Sequence, residues 1–255
     1  MTGLLVAPEL LSATGLHYTY RRLAAVDSVD LHLTPGTRHA LIGPNGAGKT
    51  TLLHLLAGTL RPSRGQIRFD RRDITRTGPA RRARLGIGRS FQTPALLDSL
   101  STVDNLVLAA WRHTRASGWA PTRYRQLARR ALADLDTLGL ADQARQPAGT
   151  LPHGQRRLLD IAVALAGAPR LLLLDEPAAG LDDADLQRLQ KVLRGLPAAC
   201  AVVLVEHNLD LVTATAETVT VLHHGRILAT GSPHQIAADP TVREVYLGSP
   251  IEAVG

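Results

Sequence analysis

The chain has 255 residues, 45% of them apolar, with a net charge of +7 and a single cysteine. That length suits one large α/β domain or a core with a smaller subdomain, and the apolar fraction excludes general disorder. One cysteine, Cys200, excludes an intrachain disulfide and fits a reducing compartment.

Cys200 lies in the apolar run 198–205, where a packed, inert thiol is expected. No apolar run reaches the roughly 18 residues of a membrane span, and the first residues lack the pattern of a secretory signal. A membrane role is therefore expected only through a partner. The positive charge is clustered: residues 61–89 hold ten arginines against Asp70 and Asp73, and residues 112–130 hold six with no acid. Such patches suit nucleic acid or anionic lipid. Aromatic residues are only 3% of the chain, however, which leaves few stacking platforms for bases. Arginine also replaces lysine almost throughout (Lys49 and Lys191 are the exceptions), as a coding bias would produce. The clusters are read as solvated or partner-facing.

In chain order, residues 13–20, 29–33 and 38–42 read as short strands, with a turn at Thr34-Pro35-Gly36. Next comes Gly43-Pro44-Asn45-Gly46-Ala47-Gly48-Lys49-Thr50-Thr51, which reads G-x-x-x-x-G-K-[ST], the phosphate-binding loop. Leu41 and Ile42 end a buried strand before it, and a helix is predicted over 51–57 after it. Its glycines let successive N–H groups converge on phosphate, and the following helix N-terminus adds partial positive charge. Lys49 is expected to reach the β- and γ-phosphates of a nucleotide, and Thr50 to ligate Mg²⁺. Tyr20, 23 residues before Gly43, can return across the loop to stack on adenine.

Residues 60–76 read as a hairpin, with the Pro62-Ser63-Arg64-Gly65 turn before 66–70, followed by a short arginine-rich helix from Pro79 and a strand over 87–91. Gln92 follows at the strand end. Helical spacing over 102–148 predicts a helical subdomain inserted into the core. Leu151-Pro152-His153-Gly154-Gln155 opens a further helix, and 171–175 is a continuously apolar strand of the kind buried on both faces of a parallel sheet. A helix over 183–193, a strand over 201–205, a helix from Leu209 and a hairpin around His223-His224-Gly225 complete the pattern. The paired histidines have no third ligand at suitable spacing and are read as a polar turn. Asp175 can hold Mg²⁺ through its water shell, and Glu176 can polarise the water that attacks the γ-phosphate. His207, just past an apolar strand, can donate to that phosphate.

Tyr20, the loop 43–51, Gln92, 151–155, Asp175-Glu176, Ala179-Gly180-Leu181-Asp182 and His207 occur in an order that resembles the ATP-binding-cassette (ABC) ATPases over residues 11–248. The resemblance implies an α/β fold: a P-loop NTPase core with a mainly parallel sheet, an antiparallel β subdomain and an inserted helical subdomain. It implies a single ABC ATPase domain over 11–248, the helical subdomain spanning about 93–168 with the signature, and short tails at 1–10 and 249–255. Lys49, Gln92, Glu176 and His207 become the catalytic set, with Thr50, Gln92 and Asp175 around the metal. Gln92 links γ-phosphate and Mg²⁺ to the helical subdomain. Residues 151–155 form the signature facing ATP on the opposite subunit, and 179–182 the D-loop through which cassettes communicate.

The implied partners are a second ABC ATPase subunit, identical or paralogous, two membrane permease subunits and, indirectly, an extracytoplasmic solute-binding protein. No nucleic acid is expected, and the implied place is the cytoplasmic face of the membrane. Arg89-Ser90-Phe91-Gln92, 100–106, 151–160, 175–182 and Tyr246-Leu247-Gly248 look most like the ATPases of branched-chain amino acid importers. Uptake of such amino acids or a related polar compound is the implied function. Lipopolysaccharide-export cassettes share several of these features, but their signature typically ends in Glu where Gln155 stands. A non-transport cassette acting on nucleic acid is a further alternative. Three positions depart from the family: Pro152 replaces a usual serine, His153 a usual glycine and Val163 a common arginine. Pro152 has neither hydroxyl nor N–H to offer phosphate, which leaves the Gly154 N–H and the helix N-terminus.

Overall fold

The elements run β1 (Leu11–Tyr20), β2 (Leu23–Leu33), β3 (Arg38–Ile42), α1 (Lys49–Ala57), β4 (Arg64–Phe69), β5 (Arg72–Asp73), α2 (Pro79–Arg84) and β6 (Ile87–Arg89). They continue with α3 (Thr102–Trp111), α4 (Pro121–Thr137), α5 (His153–Leu165), β7 (Leu171–Asp175), α6 (Asp183–Arg194) and β8 (Ala201–Val205). The last are α7 (Leu209–Thr215), β9 (Thr218–His223), β10 (Arg226–Gly231), α8 (Pro233–Ala238) and α9 (Pro240–Leu247). This structure, a computed structural model, describes residues 9–90, 94–112 and 120–247. It divides into two compact units, Met1–Arg82 with Ala201–Gly255, and Ala83 to Cys200.

In the first unit, alternation along β1 buries Leu11 and Ala13, and a register shift in its pairing after Ala13 lets Leu16 be buried as well. Strand β1 pairs antiparallel with both β2 and β4, in the order β2-β1-β4-β5. The β4–β5 reversal departs from the expected turn at 62–65. It falls at Asp70 and Arg71, both at positive φ (51° and 63°), the backbone of a two-residue hairpin whose twist matches its strands. Gly65 sits inside β4 instead, where a side chain would meet the Gly15 carbonyl across the sheet.

Strand β3 is parallel to both β8 and β9, with His39 opposite Val203 and Thr218, and Leu41 opposite Val205 and Thr220. Ala40, Ile42, Val219 and Val221 pack with Val212, Ile236 and Val242 from α7 to α9, so this part of the sheet is covered by the C-terminal helices. Helix α1 is apolar nearly all round, with Leu52, Leu53, Leu55 and Leu56 fully buried.

Two of the buried polar groups in this unit, Arg82 and His39, bear directly on how it holds together. The Arg82 guanidinium donates to the carbonyls of Leu55 and Leu56 (2.6 Å each), Ile74 (2.7 Å) and Thr77 (2.9 Å). It thereby satisfies the last carbonyls of α1, which have no intrahelical partner. Burial pulls its pKa down to about 10, which still leaves it charged at neutral pH. Arg82 thus corrects the reading of residues 61–89 as solvated or partner-facing.

The second buried group, His39, hydrogen-bonds Thr220 at 2.9 Å, and Thr220 meets Thr230 at 2.8 Å. Desolvation lowers the His39 pKa from 6.5 to about 4. Between those values the unfolded chain binds the extra proton. The stability this group contributes is therefore complete above pH 6.5 and is lost as pH falls toward 4. From pH 7.5 to pH 5 it is expected to remove about 2 kcal/mol, read from denaturant midpoints. His39→Gln should flatten that part of the profile; an unchanged slope would assign the acid sensitivity elsewhere.

In the second unit, β6 and β7 are parallel, with Ile87 opposite Leu171 and Arg89 opposite Leu173. All five residues of β7 are buried, as its unbroken apolar run predicts. Helix α3 starts at Ser101, whose hydroxyl accepts from Asp104 N at 3.1 Å, and it packs against α4 and α5. Cys200 is buried, in line with a packed thiol. Among the described residues, no helix is long and apolar enough to cross a membrane.

Candidate functional site

The phosphate loop belongs to the first unit, between β3 and α1. Gly48 precedes α1 at φ 103°, and a Cβ there would lie 2.1 Å from the Ala25 carbonyl oxygen. At Gly43 a Cβ would lie 2.2 Å from the Leu222 oxygen. The loop is therefore walled by β2 and by the end of β9. The turn after β9 ties into the same wall: Gly225 N donates to Ala47 O (3.0 Å), and Asp27 N donates to Gly225 O (2.8 Å). Arg226 donates to the Asp27 carboxylate at 2.6 and 2.7 Å and holds that carboxyl below its usual range. Helix α1 has no side-chain cap and no acid in its first turn, which leaves its N-terminus electrostatically suited to an anion. Lys49, 5% exposed, donates to Gly43 O (2.7 Å) and Pro44 O (3.0 Å), so its charge is held over the loop.

Tyr20 ends β1 half-exposed, its ring edge-on to Tyr18 at 4.9 Å. His207 is exposed just past β8. Its backbone is positioned by Glu206, whose buried carboxylate accepts from the N–H groups of His207 (2.8 Å) and Asn208 (3.0 Å). Sequence reasoning passed over Glu206, although an acid directly after an apolar strand is the same signal that singled out Asp175.

In the second unit, Asp175 is fully buried at the end of β7, and its charge raises the Arg89 pKa against the larger depressing effect of burial. Glu176 follows at φ 49°, a left-handed conformation that costs a non-glycine residue about 1–3 kcal/mol. Arg157 of α5, 1% exposed, donates from Nη2 to the carbonyl oxygens of both Asp175 and Glu176, the latter at 2.7 Å. Ala179 N adds a bond to Glu176 O at 3.0 Å.

Pro152 sits at the N-cap of α5, exposed and extended, and the helix has no side-chain cap. Gly180, at φ 75°, has no room for a side chain: a Cβ would stand 2.7 Å from Nδ1 of His153. The His153 ring therefore lies against the 179–182 segment. Gly154 is equally close-fitting, its Cβ position 3.1 Å from Asp185 Oδ2 and 3.2 Å from Gly180 O. Asp182 caps α6 by accepting from Asp185 N at 2.7 Å. Residues 151–155, 175–176 and 179–182 thus form one connected group within this unit. Gln92 lies outside the described residues.

A family profile described as ABC transporter matches residues 26–179, more than half of the chain. The chain belongs to the ABC transporter family. A second profile, branched-chain amino acid ATP-binding cassette transporter, matches residues 226–251 of this ABC ATPase. It is 39% identical to the lipopolysaccharide export system ATP-binding protein LptB of Acidithiobacillus ferridurans, covering 94% of this chain and 97% of that one. With the high-affinity branched-chain amino acid transport ATP-binding protein BraF of Pseudomonas aeruginosa it shares 35% identity over 94% and 98% of the two chains. The crystal structure of an ABC transporter cassette in its ADP conformation superposes with a TM-score of 0.80 at 28% identity, covering 94% and 99%. This ABC ATPase is therefore the ATP-hydrolysing subunit of a transporter, with the α/β cassette fold that the motifs implied. ABC ATPases of this kind pair with one another and work with membrane permeases.

Proposed function

We propose that this ABC ATPase powers uptake of a small solute, most simply a branched-chain amino acid or a related polar compound, from the cytoplasmic face of the membrane. The match of residues 226–251 to the branched-chain amino acid profile carries the reading. Identity to LptB at 39% favours a second reading, a lipopolysaccharide-export cassette. The two separate in cells whose copy carries Glu176→Gln. Loss of energised leucine, isoleucine and valine uptake with normal surface lipopolysaccharide supports import; the opposite pattern transfers the assignment to export.

In this reading residues 11–248 act as one cassette, with 93–168 as its helical subdomain. Two cassettes, identical or paralogous, pair head-to-tail, two permeases transmit closure, and a solute-binding protein delivers cargo. Nucleic acid has no part. Tyr20 and the loop 43–51 bind ATP. Lys49 and His207 meet charge developing on the γ-phosphate, and Glu176 orients the attacking water. The hydroxyl of Thr50 and the carboxylate of Asp175 are hard oxygen donors of the type Mg²⁺ prefers, and Gln92 joins them. When bound, the ion neutralises phosphate charge.

The signature 151–155 meets ATP held by the other cassette. Gly154→Asp would set a carboxylate against Asp185 and the Gly180 carbonyl and displace the N–H that faces that phosphate, so ATP-driven pairing should be lost while ATP still binds the monomer. Pro152→Ser would add a hydroxyl donor to a charged acceptor and tighten pairing about tenfold. Both are read from dimer affinity against ATP concentration in a Glu176→Gln background. Normal pairing by Gly154→Asp would remove 151–155 from the shared site.

A further inference from the structure

We infer that Arg157 is a positioning residue for the Glu176 carboxylate, acting through the two peptide units on either side of the Glu176 Cα. The inference rests on the reading of Glu176 as the residue that orients the attacking water.

The carbonyl of Asp175 belongs to the peptide before the Glu176 Cα, and the carbonyl of Glu176 to the peptide after it. The backbone dihedrals of a residue describe how those two planes are rotated about its Cα. One guanidinium nitrogen that donates to both oxygens therefore sets both dihedrals together, and with them the direction of the Cα–Cβ bond. Glu176 needs that restraint. It precedes Pro177, and a residue before proline prefers extended backbone. Its φ of 49° lies in a region that non-glycine residues occupy only when their surroundings impose it. Released, the residue would return to the extended region and swing its carboxylate away.

Arg157 is well placed to impose the conformation. It is 1% exposed, it projects from α5 between Leu158 and the signature, and it is planar with several donors in fixed geometry. Its place in α5 has a consequence for coupling. The N-terminus of this helix carries the signature, and its second turn holds the backbone of the catalytic carboxylate. A shift of α5 at the signature would be transmitted to Glu176 through one buried side chain.

The test is a double-mutant cycle on the full chain, read as single-turnover ATP hydrolysis with KM for ATP measured alongside. Arg157→Gln in the wild-type background is expected to lower kcat at least about 30-fold and to leave KM within about threefold. In the Glu176→Gln background the same change should cost no more than about threefold, because the carboxylate it orients is already gone. Arg157→Lys retains a charged donor able to reach the carbonyls and should recover most of the lost kcat; Arg157→Met, which keeps the apolar stem without a donor, carries the measurement if Arg157→Gln does not fold. Equal fold losses in both backgrounds, or a loss confined to KM, would overturn the inference. Wild-type turnover by Glu176→Gln alone would instead overturn the reading on which it rests, and the two failures are read from different variants.

Discussion

The Glu176→Gln protein is expected to bind ATP with unchanged affinity and to lose at least about 100-fold in turnover, the usual contribution of a positioned general base. The amide is isosteric with the carboxylate, so the left-handed backbone at 176 and its bonds to Arg157 and Ala179 have no reason to change. What is lost is the acceptor for the water proton. ATP would then be held without being consumed, and paired cassettes should accumulate as an earlier peak on size exclusion when ATP and Mg²⁺ are present. Wild-type turnover would take Glu176 out of the catalytic set. Loss of turnover together with loss of ATP binding would instead mean that the substitution had disturbed the loop around it.

Gly48→Ala should be the most damaging of the single-methyl changes in the phosphate loop. Its new Cβ would lie 2.1 Å from the Ala25 carbonyl oxygen, and φ at that position is 103°. The obstacle is the backbone of β2, with no flexible side chain to move aside. Either β2 or the loop must shift, and a loop displaced by a fraction of an ångström no longer aims its N–H groups at one phosphate. Nucleotide affinity is expected to fall at least about 100-fold, equivalent to about 2.7 kcal/mol. Gly46→Ala is the comparison: φ is 80°, but nothing lies within 4 Å of the new carbon. Its effect on folding should be limited to left-handed strain, about 1–2 kcal/mol. Unfolding midpoints order the two variants. Equal midpoints would show that β2 does not wall the loop.

Where a segment's own pattern is decisive, the sequence was read correctly. β3, β7 and β8 match their predicted bounds: β7 and β8 are apolar up to Asp175 and Glu206, and β3 is bracketed by the turn at 34–36 and by Gly43. The motif at 43–51 was legible as a local pattern between a strand and a helix, whereas the close approach of Gly43 to Leu222 and of Gly48 to Ala25 was not. The hairpin after α1 was misplaced because Gly65 has the composition of a turn residue but serves close approach to Gly15, a fact of the tertiary fold. Arg82 and Arg157 were missed for a related reason. Composition places arginine at the surface, whereas each of these is buried because it satisfies carbonyls that the fold leaves over. A signal existed for Arg157, which lies beside Leu158, Leu159 and Ile161 in a helix whose buried residues, Asp160 apart, are otherwise apolar. The contact of His153 with Gly180 had none, since the two are 27 residues apart and neither has a pattern that names the other.

The folded-back Lys49 also determines how the chain meets covalent reagents. The sequence contains only two lysines, Lys49 and Lys191. One is 5% exposed with its nitrogen bonded to two loop carbonyls, and the other is exposed on α6. A mild acylating ester therefore meets one accessible side-chain amine, on the face of a helix in the second unit. Once the α-amine, the more nucleophilic amine at neutral pH, is blocked, a dye, a biotin or a solid support can be attached there at close to unit stoichiometry, with no cysteine engineering and with the phosphate loop chemically untouched.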